Sequence, residues 1–248
     1  MPALRPLLAA LAALLLSLPA SACGRTQRLL EVQVIDADRG TALSPLPFRG
    51  RHYLAGEPGH RFAVSLRNLT GERVLAVLSV DGVNAISGQT AATSQAGYVL
   101  EPWQQVEVRG WRKSLSDIAE FYFTDLPDSY AARTGRPENV GVIGVAAFRE
   151  RRVAPLAVAP ERNAAVQDKA MAEAAAPPAQ RQALGTGHGE RRFDPVGQTR
   201  FERDGDRPGQ RIALYYDSWE ALEARGIVAA RVPGEPDPFP LGFVPDPR

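Results

Sequence analysis

Val74-Leu75-Ala76-Val77-Leu78-Ser79-Val80 is apolar at six of its seven positions and runs into the turn pair Asp81-Gly82. A short apolar run closed by a turn signal reads as a strand covered on both faces. Asn68-Leu69-Thr70-Gly71-Glu72 supplies a turn cluster just before it. Further upstream, Phe62, Val64 and Leu66 alternate with Ala63 and Ser65, and Leu30, Val32 and Val34 alternate with Glu31 and Gln33. That period of two belongs to half-buried strands. Downstream, residues 98–100, 105–108, 121–123 and 140–148 are further strand candidates. Gly141 and Gly144 fall on opposite faces of the last run and mark a bulge or a close backbone approach. Ser114-Leu115-Ser116-Asp117 reads as a capped helix start, and residues 127–133 as one or two helical turns with Pro127 near the first position. Many short strands between turns predict a mainly β fold: an antiparallel β-sandwich-like domain over residues 29–148, with short helices.

Beyond residue 148 the composition changes. Residues 149–184 form an Ala/Pro-rich linker or surface helix, with 161–176 free of Gly and Pro. Residues 185–230 read as a ββα segment docked on the sandwich. Its strand candidates are 199–203 and 211–216. Asp217 with Glu220 resembles a capping box, and Gly226 resembles a helix stop. Residues 231–248 carry six prolines and read as an extended tail.

Residues 1–22 have the three zones of a signal peptide: Arg5, an apolar run over residues 7–18, and Ala20-Ser21-Ala22 after Pro19. The apolar run is shorter than the roughly 20 residues that span a bilayer. Cys23, the only cysteine, follows directly. Leu18-Pro19-Ala20-Ser21-Ala22-Cys23 resembles a bacterial lipobox, with Ala20 where Leu is usual. A lone thiol in an oxidising compartment is explained by lipidation. The expectation is an exported protein of the periplasm or outer membrane. It is tethered by residues 23–28 and anchored in the membrane by a lipid on Cys23. Gly24 stands where Asp would resemble an inner-membrane retention signal. The competing reading is an ordinary secretory cut that leaves a soluble protein.

The 248-residue chain has a formal net charge of +1. Nucleic-acid binding calls for a clustered cationic surface, and the arginines here are scattered, so no nucleic-acid partner is expected.

Gly185-Thr186-Gly187-His188-Gly189-Glu190-Arg191 is the most distinctive local sequence. Its sharp reading is a hydrolase or small-ligand site using His188 and Glu190. Its bland reading is a glycine-rich loop, and it lacks the Lys-Ser/Thr pair of a phosphate loop. The histidines His52, His60 and His188 are too far apart in sequence for a zinc motif. Asp81, Asn84 and Asp204-Gly205-Asp206 do not complete a calcium loop. No metal or cofactor is expected. Ser129 sits in a polar, aromatic stretch that capping explains as well as nucleophilic catalysis does. Trp103, Trp111 and Arg112 could form an aromatic–basic binding patch; burial of one Trp in the core is the simpler alternative.

Several stretches together carry a resemblance. They are Val80-Asp81-Gly82-Val83-Asn84, Gly97-Tyr98-Val99-Leu100, Gly110-Trp111-Arg112, Asp128-Ser129-Tyr130-Ala131 and Asn139 to Val145, with Gly187-His188-Gly189 and Tyr216-Asp217-Ser218. Across residues 50–228 the chain resembles a family of exported bacterial proteins of uncharacterised function. The resemblance implies export and transfers no catalytic residue. The function expected is a non-enzymatic binding or structural module of the cell envelope. Its partner would be another envelope protein or a surface polymer. The alternatives are the His188-centred hydrolase and an adhesion or assembly module using a sheet edge.

Overall fold

The computed structural model describes residues 28–152 and 182–229. The segment expected as a signal peptide (1–22), Cys23, residues 161–176 and the segment expected as a tail (231–248) lie outside the described residues.

The first strands in chain order are β1 (Leu30–Asp36), β2 (Thr41–Ala42), β3 (Leu46–Phe48), β4 (Arg51–Gly56), β5 (Arg61–Asn68), β6 (Val74–Val80) and β7 (Val83–Asn84). They are followed by β8 (Tyr98–Leu100), β9 (Gln105–Val108), β10 (Gly110–Arg112), β11 (Asp117–Asp125), β12 (Val142–Arg149), β13 (Leu184–Phe193) and β14 (Gln210–Ser218). Among the described residues two short α-helices, α1 (Tyr130–Arg133) and α2 (Trp219–Ala224), and two 3-10 turns, Leu126–Asp128 and Pro137–Asn139, complete the set.

One sheet runs β10-β11-β5-β1-β2, with β13 also on β11 and β9 also on β5. The other runs β3-β4-β14-β12-β6-β7, with β8 also on β6. The pairs are antiparallel except β4 with β14, where Leu214 sits opposite His52 in a parallel ladder. The two inner faces close on one core. Phe62 stacks on Phe121 at 5.3 Å and on Phe123 at 4.4 Å between ring centroids. Tyr216 of the opposite sheet tilts against Phe62 and Phe123. Each such ring contributes about 1.5–3 kcal/mol by leaving water.

The opening stretch is now explained. β6 lies between β12 on one side and β7 and β8 on the other. Val74, Ala76, Leu78 and Val80 face the inter-sheet core. Leu75 and Val77 face outward, where they join Ala146 and Phe148 in a second cluster packed by Val99 and Phe201. Both faces are covered, so both can be apolar.

The C-terminal ββα order holds, and its strands are inserted into the sheets. β13 extends the first sheet, and β14 lies between β4 and β12 in the second.

Four local expectations need correction. Residues 114–117 do not start a helix; they turn the β10–β11 hairpin. The Lys113 amide donates to the Asp117 carbonyl at 2.9 Å, and Ser114 Oγ donates to the Asp117 carboxylate. Residues 199–203 are not a strand and touch the sheet through one bridge, Glu150 to Arg203. Side chains hold that stretch instead: Phe201 on the outer cluster and Arg203 over the Phe148 ring at 4.5 Å. The α2 cap is Ser218, whose side chain accepts from the Ala221 amide. Asp217 is occupied elsewhere, accepting from the Ala183 and Leu184 amides and from Arg225. Finally, the glycine-rich stretch is strand β13, not a loop. Its glycines share one face, and that face is filled. A Cβ on Gly185 would meet Ser129 and Val140, one on Gly187 the Tyr122 ring, and one on Gly189 the Glu120 backbone.

Candidate functional site

Alternation along β10 sends Trp111 inward and Arg112 to the opposite face. Trp111 is buried and meets Phe121 edge-on at 4.8 Å. The Arg112 side chain is 9% exposed. Its guanidinium pairs with the Asp194 carboxylate at 2.5 Å and with the Asp194 carbonyl. Asp194 directly follows β13, so this pair pins the start of the 194–199 segment beside the β10–β11 turn.

Between that segment, the turn and β8 lies a cleft of about 860 Å³. That is within the range of roughly 300–1,000 Å³ typical of small-ligand sites. Its apolar walls come from Ile86, Val99, Val106 and Val196, all half-buried, with exposed Leu115 at the rim. Arg112, Lys113 and Tyr98 are its polar landmarks. A second depression of about 630 Å³ shares Ala96, Gly97, Val99 and Thr199 with it, so the groove continues beneath residues 199–203.

Two polar atoms at this cleft, Tyr98 Oη and Arg112 Nε, are shielded from solvent and reach no partner at hydrogen-bond geometry. Burial raises the Tyr98 pKa, against an opposing effect of the nearby Arg112 guanidinium. The phenol therefore keeps its proton at neutral pH. A buried donor without an acceptor costs about 1–3 kcal/mol.

The residues singled out in the sequence are only partly brought together. Arg112 lines the cleft. Trp111 packs behind it in the core, with its ring parallel to His188 at 6.4 Å. Trp103 is apart from both, 65% exposed in a positive-φ turn next to Gly71. His188 is exposed on β13 beside Tyr130. Its pKa is lowered by partial burial and then by the cations Lys113 and Arg133. Glu190 is exposed, and its charge acts on Arg61. Ser129 Oγ is a cap: it donates to the Leu126 carbonyl and accepts from the Ala132 amide.

Other clusters escaped the sequence reading. Asp36, Asp38 and His60 bring ligand atoms within 4.8 Å of one another. Their oxygens are already committed. Asp36 Oδ1 accepts from the Asp38 and Arg39 amides, Asp36 Oδ2 meets His60 Nδ1 at 2.8 Å, and Asp38 is forked by Arg61. Asp81 is buried and accepts from Tyr216 Oη at 2.5 Å, the Thr186 amide at 2.7 Å and the Gly141 amide at 2.8 Å. Burial pushes the Asp81 carboxyl up to about 6 despite these bonds. Thr186 Oγ1 completes the network at 2.6 Å from Tyr216 Oη. These contacts join strands from both sheets and are structural.

No protein-family model matches the chain, and no curated protein or solved structure matches it.

Proposed function

We propose that the chain is an exported module, tethered to the cell envelope through Cys23, that binds a small ligand in the β8–β10 cleft without transforming it. The observation that carries this reading is the pairing of half-buried apolar walls with buried polar hydrogens that lack acceptors. The signal peptide, the lipobox-like stretch ending at Cys23 and the family resemblance support export. The His188 hydrolase is weaker, because the charges that shift His188 are cations and a general base gains from a carboxylate partner.

A compound screen tests the binding reading. It uses the exported chain carrying Cys23→Ser, which no lipid can modify, and includes neutral, cationic and anionic small molecules. Compounds of at least one charge class are expected to raise the melting temperature. The exposed rim substitution Ser87→Trp should remove those shifts. Shifts that persist in Ser87→Trp, or an absence of shifts in every class, would overturn the reading. Mass spectrometry of the unsubstituted mature N-terminus tests the tether, and an unmodified cysteine there would refute it.

A second reading has its own observation. Among the described residues β13 pairs only with β11, and its last four residues are exposed, with Phe193 73% exposed. An unpaired strand edge can add a strand from a partner. Phe193→Lys would then abolish self-association or partner capture in sedimentation experiments while leaving small-molecule binding intact.

A further inference from the structure

We infer that the cleft takes a small organic acid, its carboxylate set against Tyr98, Arg112 and Lys113 and its apolar body laid on Ile86, Val106 and Val196. The inference rests on the binding reading above and names the ligand chemistry.

The polar side of the cleft is rich in donors. Its lining includes two cations, Arg112 and Lys113, and no carboxylate. Asp194 takes both terminal nitrogens of Arg112, one on its carboxylate and one on its carbonyl, and the guanidinium also lies against the Tyr98 hydroxyl. Tyr98 Oη carries a proton with nothing to receive it. Lys113 is exposed where it lines the cleft, has no ion pair among the described residues, and its charge also reaches His188. Hydrogen bonds in which one partner is ionised are about twice as strong as neutral ones, so a carboxylate gains most from the Tyr98 hydroxyl and the Lys113 ammonium. A cationic ligand would meet Lys113, and a neutral one would leave the Lys113 charge unanswered, while Arg112 is already paired with Asp194.

The apolar walls decide the remainder of the molecule. A bare inorganic anion would satisfy the donors and leave Ile86, Val106 and Val196 in contact with water. The cleft volume suits a body of drug size and not a folded partner. Tyr98 Oη and Arg112 Nε are shielded, so seating the acid shifts a wall. The exposed turn at 113–115 and the exposed residues 197–199 are the parts least anchored by burial.

Calorimetry on the exported chain carrying Cys23→Ser supplies the test. The probes are 4-phenylbutyrate and its neutral amide. The acid should bind about tenfold more tightly than the amide. Tyr98→Phe and Lys113→Met should each erase most of that preference, and Lys113→Met should also flatten its salt dependence. Both variants are checked for a melting temperature no lower than that of the wild type, which separates lost recognition from lost fold. Equal binding of acid and amide, or a preference unchanged in both variants, would overturn the inference. If screened neutral or cationic compounds bind in a Ser87→Trp-sensitive way while the acid does not, the carboxylate assignment falls and the binding reading stands. If nothing binds in either experiment, both fall. A dipeptide with a free carboxylate that bound more tightly than the acid would replace the small acid with a peptide terminus.

Discussion

Two tyrosines occupy opposite situations in this molecule. Tyr216 is fully buried at the centre, and its hydroxyl bonds to Asp81 and Thr186. Tyr98 lies at the cleft, and its hydroxyl, equally shielded, sits by the Arg112 guanidinium and finds no acceptor for its proton. Around Tyr216 each polar neighbour is matched, as a core that must hold one arrangement demands. Around Tyr98 donors outnumber acceptors. The difference separates polar groups that close a fold from polar groups that wait for another molecule.

The comparison can be broken by substitution. Asp81→Ala is expected to have the largest effect, about 4 kcal/mol of lost stability, because three buried donors lose their acceptor together. Urea denaturation measures it, and a loss below about 1 kcal/mol would show that the network is not structural.

The pH dependence comes next. Asp81 is raised from 3.8 to about 6 by burial. Its contribution to stability is therefore fully present below pH 4 and is lost as pH rises through about 6. A shift of about two units corresponds to roughly 3 kcal/mol. The stability difference between the wild type and Asp81→Asn should fall by that order between pH 4 and pH 7.5. A flat difference would mean that the carboxyl titrates near its ordinary value.

Tyr216→Phe should cost about 2 kcal/mol by stripping Asp81 and Thr186 of a shared partner. Gly187→Ala should cost about 1–2 kcal/mol, since the new Cβ would force the Tyr122 ring aside. Tyr98→Phe sharpens the contrast most and has the smallest effect. It removes a buried hydroxyl whose proton has no acceptor, so stability should not fall and should rise by up to about 1 kcal/mol. Thermal melts of the two Tyr→Phe variants side by side decide the matter. Equal losses would dissolve the distinction.

Much of the sandwich is visible in the sequence because its central strands carry unambiguous periodicity. β1, β5 and β6 are placed by alternation or by a continuous apolar run. β4 is not, because Arg51 and His52 open it with polar residues and its strand character comes from pairing with β14, far along the chain. β13 is hidden for a different reason. Three glycines lower strand propensity, and only the ring of Tyr122 and the side chains of Ser129 and Val140 make that bare face acceptable. The cleft was half legible. Arg112 stood out beside Trp111, and the expected partners Trp103 and His188 point elsewhere. Tyr98 carried no mark, because a phenol in a short strand looks like core until its neighbours are known. Lys113 follows Arg112 in the chain and is read with it, but Val196 reaches the cleft from a distant part, which one sequence does not bring together.

The parallel pairing of β4 with β14 also bears on how the chain can be handled as it is made. The middle of the second sheet arrives almost last, so the earlier strands wait for it with an open seam. Long loop closure of this kind slows folding. A chain whose second sheet cannot close until β14 is made keeps that seam open through most of its synthesis.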